Sequence, residues 1–167
     1  SVTYGAGGST RDKSLEIASK VKNDFKREVL AHLTCVQATR NDLNKILDAF
    51  MGENIRNILA LRGDPPAGSE KFVVTDGGLR FACDLVELIR QRQGFSIGVA
   101  GYPEGHIEAP SLDEDIKNLK RKIDAGADFI ITQLFFDNSF FYRFRDRAQD
   151  MKIQAPIIPG VVPILNY

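Results

Sequence analysis

In "NILALRGDPP", residues 57 to 66, the apolar run Ile58 to Leu61 leads directly into Arg62, Gly63, Asp64 and two prolines. A short apolar run bounded by such punctuation reads as a buried strand. A loop that had only to turn could do so with less charge. A guanidinium and a carboxylate flanking a glycine read instead as groups set out for a ligand, with Gly63 permitting a close backbone approach. Two plainer readings stand beside this one: Asp64 could cap its own turn, and Arg62 could pair with Asp64 or Glu104. The arrangement recurs along the chain, because Thr3 and Tyr4, His32 and Thr34, Tyr102, Glu104 and His106, and Gln133 and Asp137 each follow an apolar run. A lone histidine such as His32 could be only a hydrogen-bonded structural residue. Tyr102 could be a packed ring with its hydroxyl satisfied. Gln133, taken as buried at a strand end, must find partners for its amide.

One helix offers a second kind of chemistry. In "DEDIKNLKRKID", Asp115, Asn118 and Lys122 fall at i, i+3 and i+7 on one edge, and Arg121 lies further round. An Asp and an Asn suit ribityl or ribose hydroxyls, and Arg and Lys suit a diphosphate. A solvated charged face is the alternative. The phenylalanines at 135, 136, 140, 141 and 144 read as core.

These residues must be positioned by the elements around them. Strand-like runs are expected at Ser1 to Tyr4, Val29 to Leu33, Asn57 to Leu61, Ser96 to Ala100, Phe129 to Gln133 and Ile157 to Val161. A Gly-rich turn at Gly5 to Ser9 and a helix from about Thr10 to Asn23 follow the first, with Leu15, Ala18 and Val21 inward. Thr39 reads as an N-cap ahead of a helix striped by Leu43, Ile46, Leu47 and Phe50. A loop runs from Pro65 to Thr75, and then Ala82, Leu85, Val86 and Ile89 stripe a helix from about Gly78 to Gln93. Leu112, Ile116, Leu119 and Ile123 stripe another, which ends near Gly126. Asn138 to about Asp150 forms the last, with Phe141, Phe144 and Ala148 inward. Short, nearly continuous apolar strands alternating with helices predict an α/β fold with a parallel sheet. Two architectures fit, a doubly wound open sheet and an incomplete (β/α)8 barrel, for which about 250 residues are usual. In both, ligands sit at the carboxyl ends of the strands, where the polar residues gather.

Bulk properties exclude several classes. The chain has 167 residues, enough for one domain, and no linker or internal boundary shows. With 43% apolar and 26% charged residues it is globular rather than disordered. Lys and Arg total 22, as do Asp and Glu, so charge offers no case for a nucleic-acid partner. No apolar run approaches the roughly 20 residues of a membrane span, and the N-terminus lacks a signal-peptide pattern. Cys35 and Cys83 read as half-buried free thiols of a reducing compartment, and no metal-site spacing is present. "GAGGST" has neither the Rossmann glycine spacing nor the P-loop lysine. The chain begins without Met inside a strand-like run and ends just after another, so both ends read as cut.

Taken together, "SVTYGAGG", "AHLTC", "ALRGDPP", "AGYPEGH", "DIKNLKRKIDAGADFIITQLFFD" and "IIPGVVPI" resemble the successive strand-end motifs of the methylenetetrahydrofolate reductase family, in order and near the family spacing, over essentially all 167 residues. The resemblance implies an FAD-binding (β/α)8 TIM barrel of which this chain holds about strands 2 to 7, as a single partial domain, 1–167. It also implies reduction of 5,10-methylenetetrahydrofolate to 5-methyltetrahydrofolate, with NADH or NADPH as co-substrate, in one-carbon metabolism and methionine biosynthesis. The implied setting is cytoplasmic. The implied partners are small-molecule folate and nicotinamide substrates, with no nucleic acid or membrane, and a homo-oligomer in the full-length protein.

Residue by residue, the resemblance assigns catalysis to Asp64 and Gln133, which also bind the substrate. It assigns cofactor binding to Thr3, Tyr4, His32, Arg62, Gly63, Asp64, Phe81, Ala82, Tyr102, His106, Asp115, Asn118, Arg121 and Lys122. Phe81 stands where some relatives carry Tyr, so stacking survives and a hydroxyl does not. No metal is implied. The family's proton donor, a glutamate in a Phe-Glu-Phe-Phe-Pro-like strand, is absent from these residues, so the fragment alone is expected to be inactive. A proline-dehydrogenase-like flavin barrel, a flavin-free pterin-binding barrel and a non-catalytic interaction module remain as alternatives.

Overall fold

Alternation of strand and helix runs the length of the chain, as its apolar spacing predicts. The computed structural model describes residues 1–3, 8–65 and 72–162. They fall into two units, Ser1–Ile97 and Gly98–Tyr167.

The first unit contains α1 (Gly8–Asn23), β1 (Leu30–Thr34), α2 (Arg40–Gly52), β2 (Asn57–Leu61), α3 (Ala82–Arg90) and the start of β3 (Ser96–Gly101). β1 and β2 pair in parallel, with His32 opposite Leu59 and Thr34 opposite Leu61. The strand expected at Ser1 to Tyr4 reduces, among the described residues, to one parallel bridge from Val2 to Ala31. Its two bonds are Val2 N–H to the Leu30 carbonyl at 2.9 Å and His32 N–H to the Val2 carbonyl at 3.0 Å. Tyr4 and most of the expected Gly5 to Ser9 turn lie outside the described residues; the helix predicted from Thr10 already runs at Gly8.

α2 begins where its cap residue dictates. The Thr39 hydroxyl accepts from Asp42 N–H at 3.1 Å, and the Asp42 carboxylate accepts from Thr39 N–H at 3.0 Å, a reciprocal capping box. The helix then buries Leu43, Leu47 and Phe50, each contributing about 1.5–3 kcal/mol of apolar transfer, while Ile46 is half-buried. α3 is shorter than its apolar pattern predicts. Gly78 is occupied in a turn, donating to the Thr75 carbonyl at 2.7 Å, and in an antiparallel bridge to Thr39. The helix therefore starts at Ala82, where the Asp84 carboxylate accepts the N–H groups of Arg80 and Phe81 at 3.1 and 2.9 Å. Leu85, Val86, Leu88 and Ile89 form its buried face.

The second unit holds the rest of β3, then α4 (Leu112–Asp124), β4 (Phe129–Thr132), α5 (Asn138–Asp150) and β5 (Ile157–Ile158). All three strands are parallel, with Gly101 opposite Thr132 and Ile130 opposite Ile157. The ladder runs one bond past β4, since Gln133 N–H donates to the Gly101 carbonyl at 2.7 Å. β5 stops after two residues rather than reaching Val161, because Pro159 has no N–H to continue a ladder. The six expected strands are thus five and a bridge among the described residues, and the class is α/β with parallel strands. No helix among them is long and apolar enough to cross a membrane.

Candidate functional site

In the first unit the exits of β1 and β2 are bound to each other. Cys35 N–H is shared between the carbonyls of Leu61 and Arg62, at 3.2 and 3.1 Å, and Val36 N–H donates to the Arg62 carbonyl at 3.1 Å. Gly63 has φ +87°, and a Cβ there would lie 2.7 Å from Val36 Cγ1 and 3.1 Å from Thr34 Cβ. Within the chain, the close approach that Gly63 permits is made to the β1 exit. Arg62 lays its guanidinium over the Phe72 ring, 5.0 Å from the centroid, with Nε 3.4 Å from the Gly63 carbonyl. Asp64 is exposed.

Four neighbours complete this region. Thr3 is exposed, and its carbonyl accepts from the Ser14 hydroxyl at 3.0 Å. His32 is half-buried on β1, and burial lowers its pKa below the ordinary 6.5. The imidazole is accordingly neutral at neutral pH. Phe81, 48% exposed, is the residue before α3 and carries the Arg80 guanidinium 5.2 Å from its ring centroid. Ala82 follows it, half-buried. Beneath them Cys35 is buried rather than half-buried, with its thiol 3.5 Å from the Leu61 carbonyl and 3.6 Å from that of Phe81. Burial first, then the nearby Asp84, pushes that thiol up to about 12. Cys83 is half-buried, and burial raises its pKa as well.

In the second unit the site is built on charge taken inside. Asp115 is only 9% exposed on α4, beside the buried Ile116 and Leu119. Its carboxylate accepts from His106 N–H at 3.2 Å. Burial is the largest influence on it and raises its pKa; Lys122 and the His106 N–H pull the other way. Lys122 donates through Nζ to the Ala100 carbonyl at 2.6 Å and stands 5.9 Å from the Tyr102 ring centroid. Tyr102 and His106 meet edge to face at 4.7 Å, and His106 Nδ1 accepts from Glu108 N–H at 3.1 Å. Asp115 and Lys122 thus bear on one strand end. Asn118 and Arg121, expected on separate parts of the helix surface, bond to each other through Arg121 Nη1 and Asn118 Oδ1, and Arg121 also reaches Glu114 at 3.4 Å.

Gln133 departs from its expectation. It is exposed, not buried, and its Oε1 accepts from Leu134 N–H at 2.9 Å. Its backbone still belongs to the strand ladder, so the side chain is set down just outside the sheet. The phenylalanine cluster also divides. Phe144 is buried and Phe135 stacks on Phe141 at 5.4 Å, but Phe136 is 87% exposed.

Sequence reading missed two contributors, Phe72 and Asp84, and the burial of a third that it named, Thr34. Phe72, which carries Arg62, lies ten residues on in a loop without periodicity. Asp84, which caps the start of α3, sits at the third helical position, a signal that could have been read. The hydroxyl of Thr34 is enclosed with no hydrogen-bond partner among the described residues, which only coordinates reveal. No group of metal-binding side chains occurs among the described residues.

The chain can now be set beside known proteins. Its fold resembles phosphoenolpyruvate phosphomutase from Streptomyces platensis subsp. rosaceus, with a TM-score of 0.66 at 14% identity, over 89% of this chain and 52% of that one. It likewise resembles oxaloacetate acetylhydrolase, with a TM-score of 0.64 at 11% identity, over 95% of this chain and 54% of that one. At such identities the likeness concerns the fold alone. Sequence relatives are nearer. The 5,10-methylenetetrahydrofolate reductase of Salmonella typhimurium is 45% identical over 167 residues, all of this chain and 54% of that protein. "Methylenetetrahydrofolate reductase (NADH) 1" of Arabidopsis thaliana is 46% identical over 177 residues, 99% of this chain and 30% of that protein. The chain therefore spans about half the bacterial relative and under a third of the plant one. The family model for methylenetetrahydrofolate reductase matches residues 1–167, and the chain belongs to that family.

Proposed function

We propose that residues 1–167 form part of the catalytic (β/α)8 barrel of a flavin-dependent methylenetetrahydrofolate reductase, which reduces 5,10-methylenetetrahydrofolate to 5-methyltetrahydrofolate with NADH or NADPH. The observation that carries the reading is the family match over the whole chain. It agrees with a polar set gathered at the carboxyl ends of parallel strands, where α/β folds bind ligands.

The residues present suit FAD. Asp115 and Asn118 offer acceptors for ribityl or ribose hydroxyls, and Arg121 and Lys122 offer cations for a diphosphate. The enclosed Thr34 hydroxyl beside Gly63 is a polar atom that its own chain leaves without a partner among the described residues. Thr3, Tyr4, His32, Arg62, Gly63, Phe81, Ala82, Tyr102 and His106 are assigned to the same cofactor. The chemistry FAD supplies when bound is transfer of a hydride equivalent, received from the nicotinamide and delivered to the folate.

The chain's own residues set the conditions for that transfer. Asp64 presents a carboxylate that favours the cationic 5-iminium form of the folate and disfavours additional negative charge beside it. Gln133 hydrogen-bonds the pterin and fixes its orientation. His32, neutral at neutral pH, packs without adding charge. Arg62, steadied by Phe72, holds a fixed positive charge at the end of β2.

A single-turnover experiment on the complete enzyme tests the reading. The protein should carry flavin, NADH or NADPH should bleach it, and methylenetetrahydrofolate should restore the colour. A reduced flavin that stays reduced in the presence of the folate would refute the assignment.

A further inference from the structure

Thr132 spends a hydroxyl at a buried strand end where valine would fill the same space. The residue is 4% exposed, and a hydroxyl enclosed there is costly unless bonded. Its partner is Gly160: Gly160 N–H donates to Thr132 Oγ1 at 3.0 Å. The two segments approach so closely that a Cβ on Gly160 would sit 2.2 Å from the Thr132 carbonyl oxygen. Thr132 therefore holds the exit of β5 through its hydroxyl, and its carbonyl lies close against Gly160. The β5 ladder cannot do this, since it ends at Ile158 and Pro159 has no N–H.

The next residue is Gln133. Its N–H is tied to Gly101 on β3 at 2.7 Å, and its Oε1 is tied to Leu134 N–H at 2.9 Å. The side chain is exposed, so packing does not hold it. Its location is set by the backbone on either side: β3 through its own N–H, and the β5 exit through Thr132.

We propose that Thr132, clasped to Gly160, is a positioning residue for folate recognition that acts through Gln133. Thr132 is buried and its hydroxyl oxygen accepts from Gly160 N–H, so it acts at one remove from the substrate. The inference rests on the functional reading above and deepens it, because it concerns the residue assigned to the pterin and leaves the flavin untouched.

The test uses the complete, flavin-loaded reductase. Thr132→Val keeps the shape and removes the hydroxyl. Flavin content and the rate of flavin reduction by the nicotinamide should stay within about twofold, while KM for methylenetetrahydrofolate rises about tenfold, the scale of one lost hydrogen bond. Thr132→Ser should restore that KM to within about twofold of the unsubstituted enzyme. In a Gln133→Ala background Thr132→Val should raise KM no further. Should Thr132→Val lose the fold, Thr132→Ala compared with Thr132→Ser carries the same contrast. The inference is overturned by an unchanged KM, by Ser and Val variants that fail alike, by equal losses in both half-reactions, or by a full rise in KM in the Gln133→Ala background. An unsubstituted enzyme that does not pass its electrons to the folate defeats the functional reading and this inference with it. An active enzyme whose KM ignores Thr132→Val defeats only the inference.

Discussion

The ends of β1 and β2 and the end of β3 place charge in opposite ways. After β2, Arg62 and Asp64 stand near the surface, on a frame that includes shared backbone N–H groups, the Phe72 ring and the missing side chain of Gly63. After β3, a carboxylate is drawn inside. Asp115 gives up most of its contact with water and receives in return the His106 N–H and the nearby Lys122. A surface carboxylate keeps its charge at little cost and stays available to a reacting partner. A buried one is costly to ionise, and that cost is offset by the loop and lysine it organises. The first arrangement suits chemistry, and the second suits holding a ligand and the loop around it.

The sharpest way to break this contrast is Asp64→Asn in the complete enzyme. Reoxidation of reduced flavin by the folate should slow about 100-fold, the scale of removing one preorganised electrostatic group. Melting temperature should hold, because Asp64 is exposed. A variant that melts early would make Asp64 structural and erase the distinction. Gly63→Ala probes the frame in the same region. Its Cβ would press on Val36 in a backbone conformation that L-residues seldom adopt, so unfolding free energy should fall by about 2 kcal/mol. Adding Val36→Ala should relieve the collision but not the backbone strain. Full recovery in the double variant would mean that the positive φ costs nothing.

Much of this was legible in the chain itself. Period-3.6 stripes located α2, α4 and α5, and Asn57–Leu61 was bounded by its own punctuation. Thr39 declared its cap because a side-chain cap is a local bond between residues three apart. What was not legible is non-local. α3 lost its first turn to a bridge between Gly78 and Thr39. β5 lost its second half to a proline in the position where the ladder needed a donor. Asp115 read as the edge of an amphipathic helix, yet it is buried, because whether an edge meets water depends on the loop that folds over it. Gln133 erred in the other direction: a strand-end position does not reveal which side of the sheet's end the side chain leaves by. The site's residue types were thus legible, but their burial was not.

In the second region, Lys122→Met keeps the aliphatic stem and removes the ammonium. The Ala100 carbonyl loses its donor, and Asp115 loses its neighbouring cation. Stability at neutral pH should drop by about 1–2 kcal/mol, the cost of an unmade bond at a partly buried group. Asp115→Asn added to that variant should recover part of the loss, since there is then no carboxylate left to strand. Equal and additive losses in a urea titration of the four proteins would show that the two groups do not communicate.

The smallest effect is the one most specific to a buried carboxylate. Burial holds the folded-state pKa of Asp115 above its ordinary 3.8, even with Lys122 and the His106 N–H pulling it down. Between those two values the folded chain keeps a proton that the unfolded chain has released. The native state then binds more protons, so unfolding free energy falls as pH rises. The contribution of Asp115 is fully present below 3.8 and is lost as pH climbs through the folded value. Asp137 behaves in the opposite sense: its carboxylate is exposed and bonded to the start of α5, and the Ser139 hydrogen bonds lower its pKa. Its contribution is present above the ordinary pKa and is lost on acidification. Urea unfolding of the parent and of Asp115→Asn, compared from about pH 4 to pH 6, isolates the first effect, because Asp137 is common to both. The parent should lose ground to the Asn variant as pH rises and then run level with it. A parent that gains ground over the same interval would mean that Lys122 overcomes burial, and the inner carboxylate would then be held as the outer ones are.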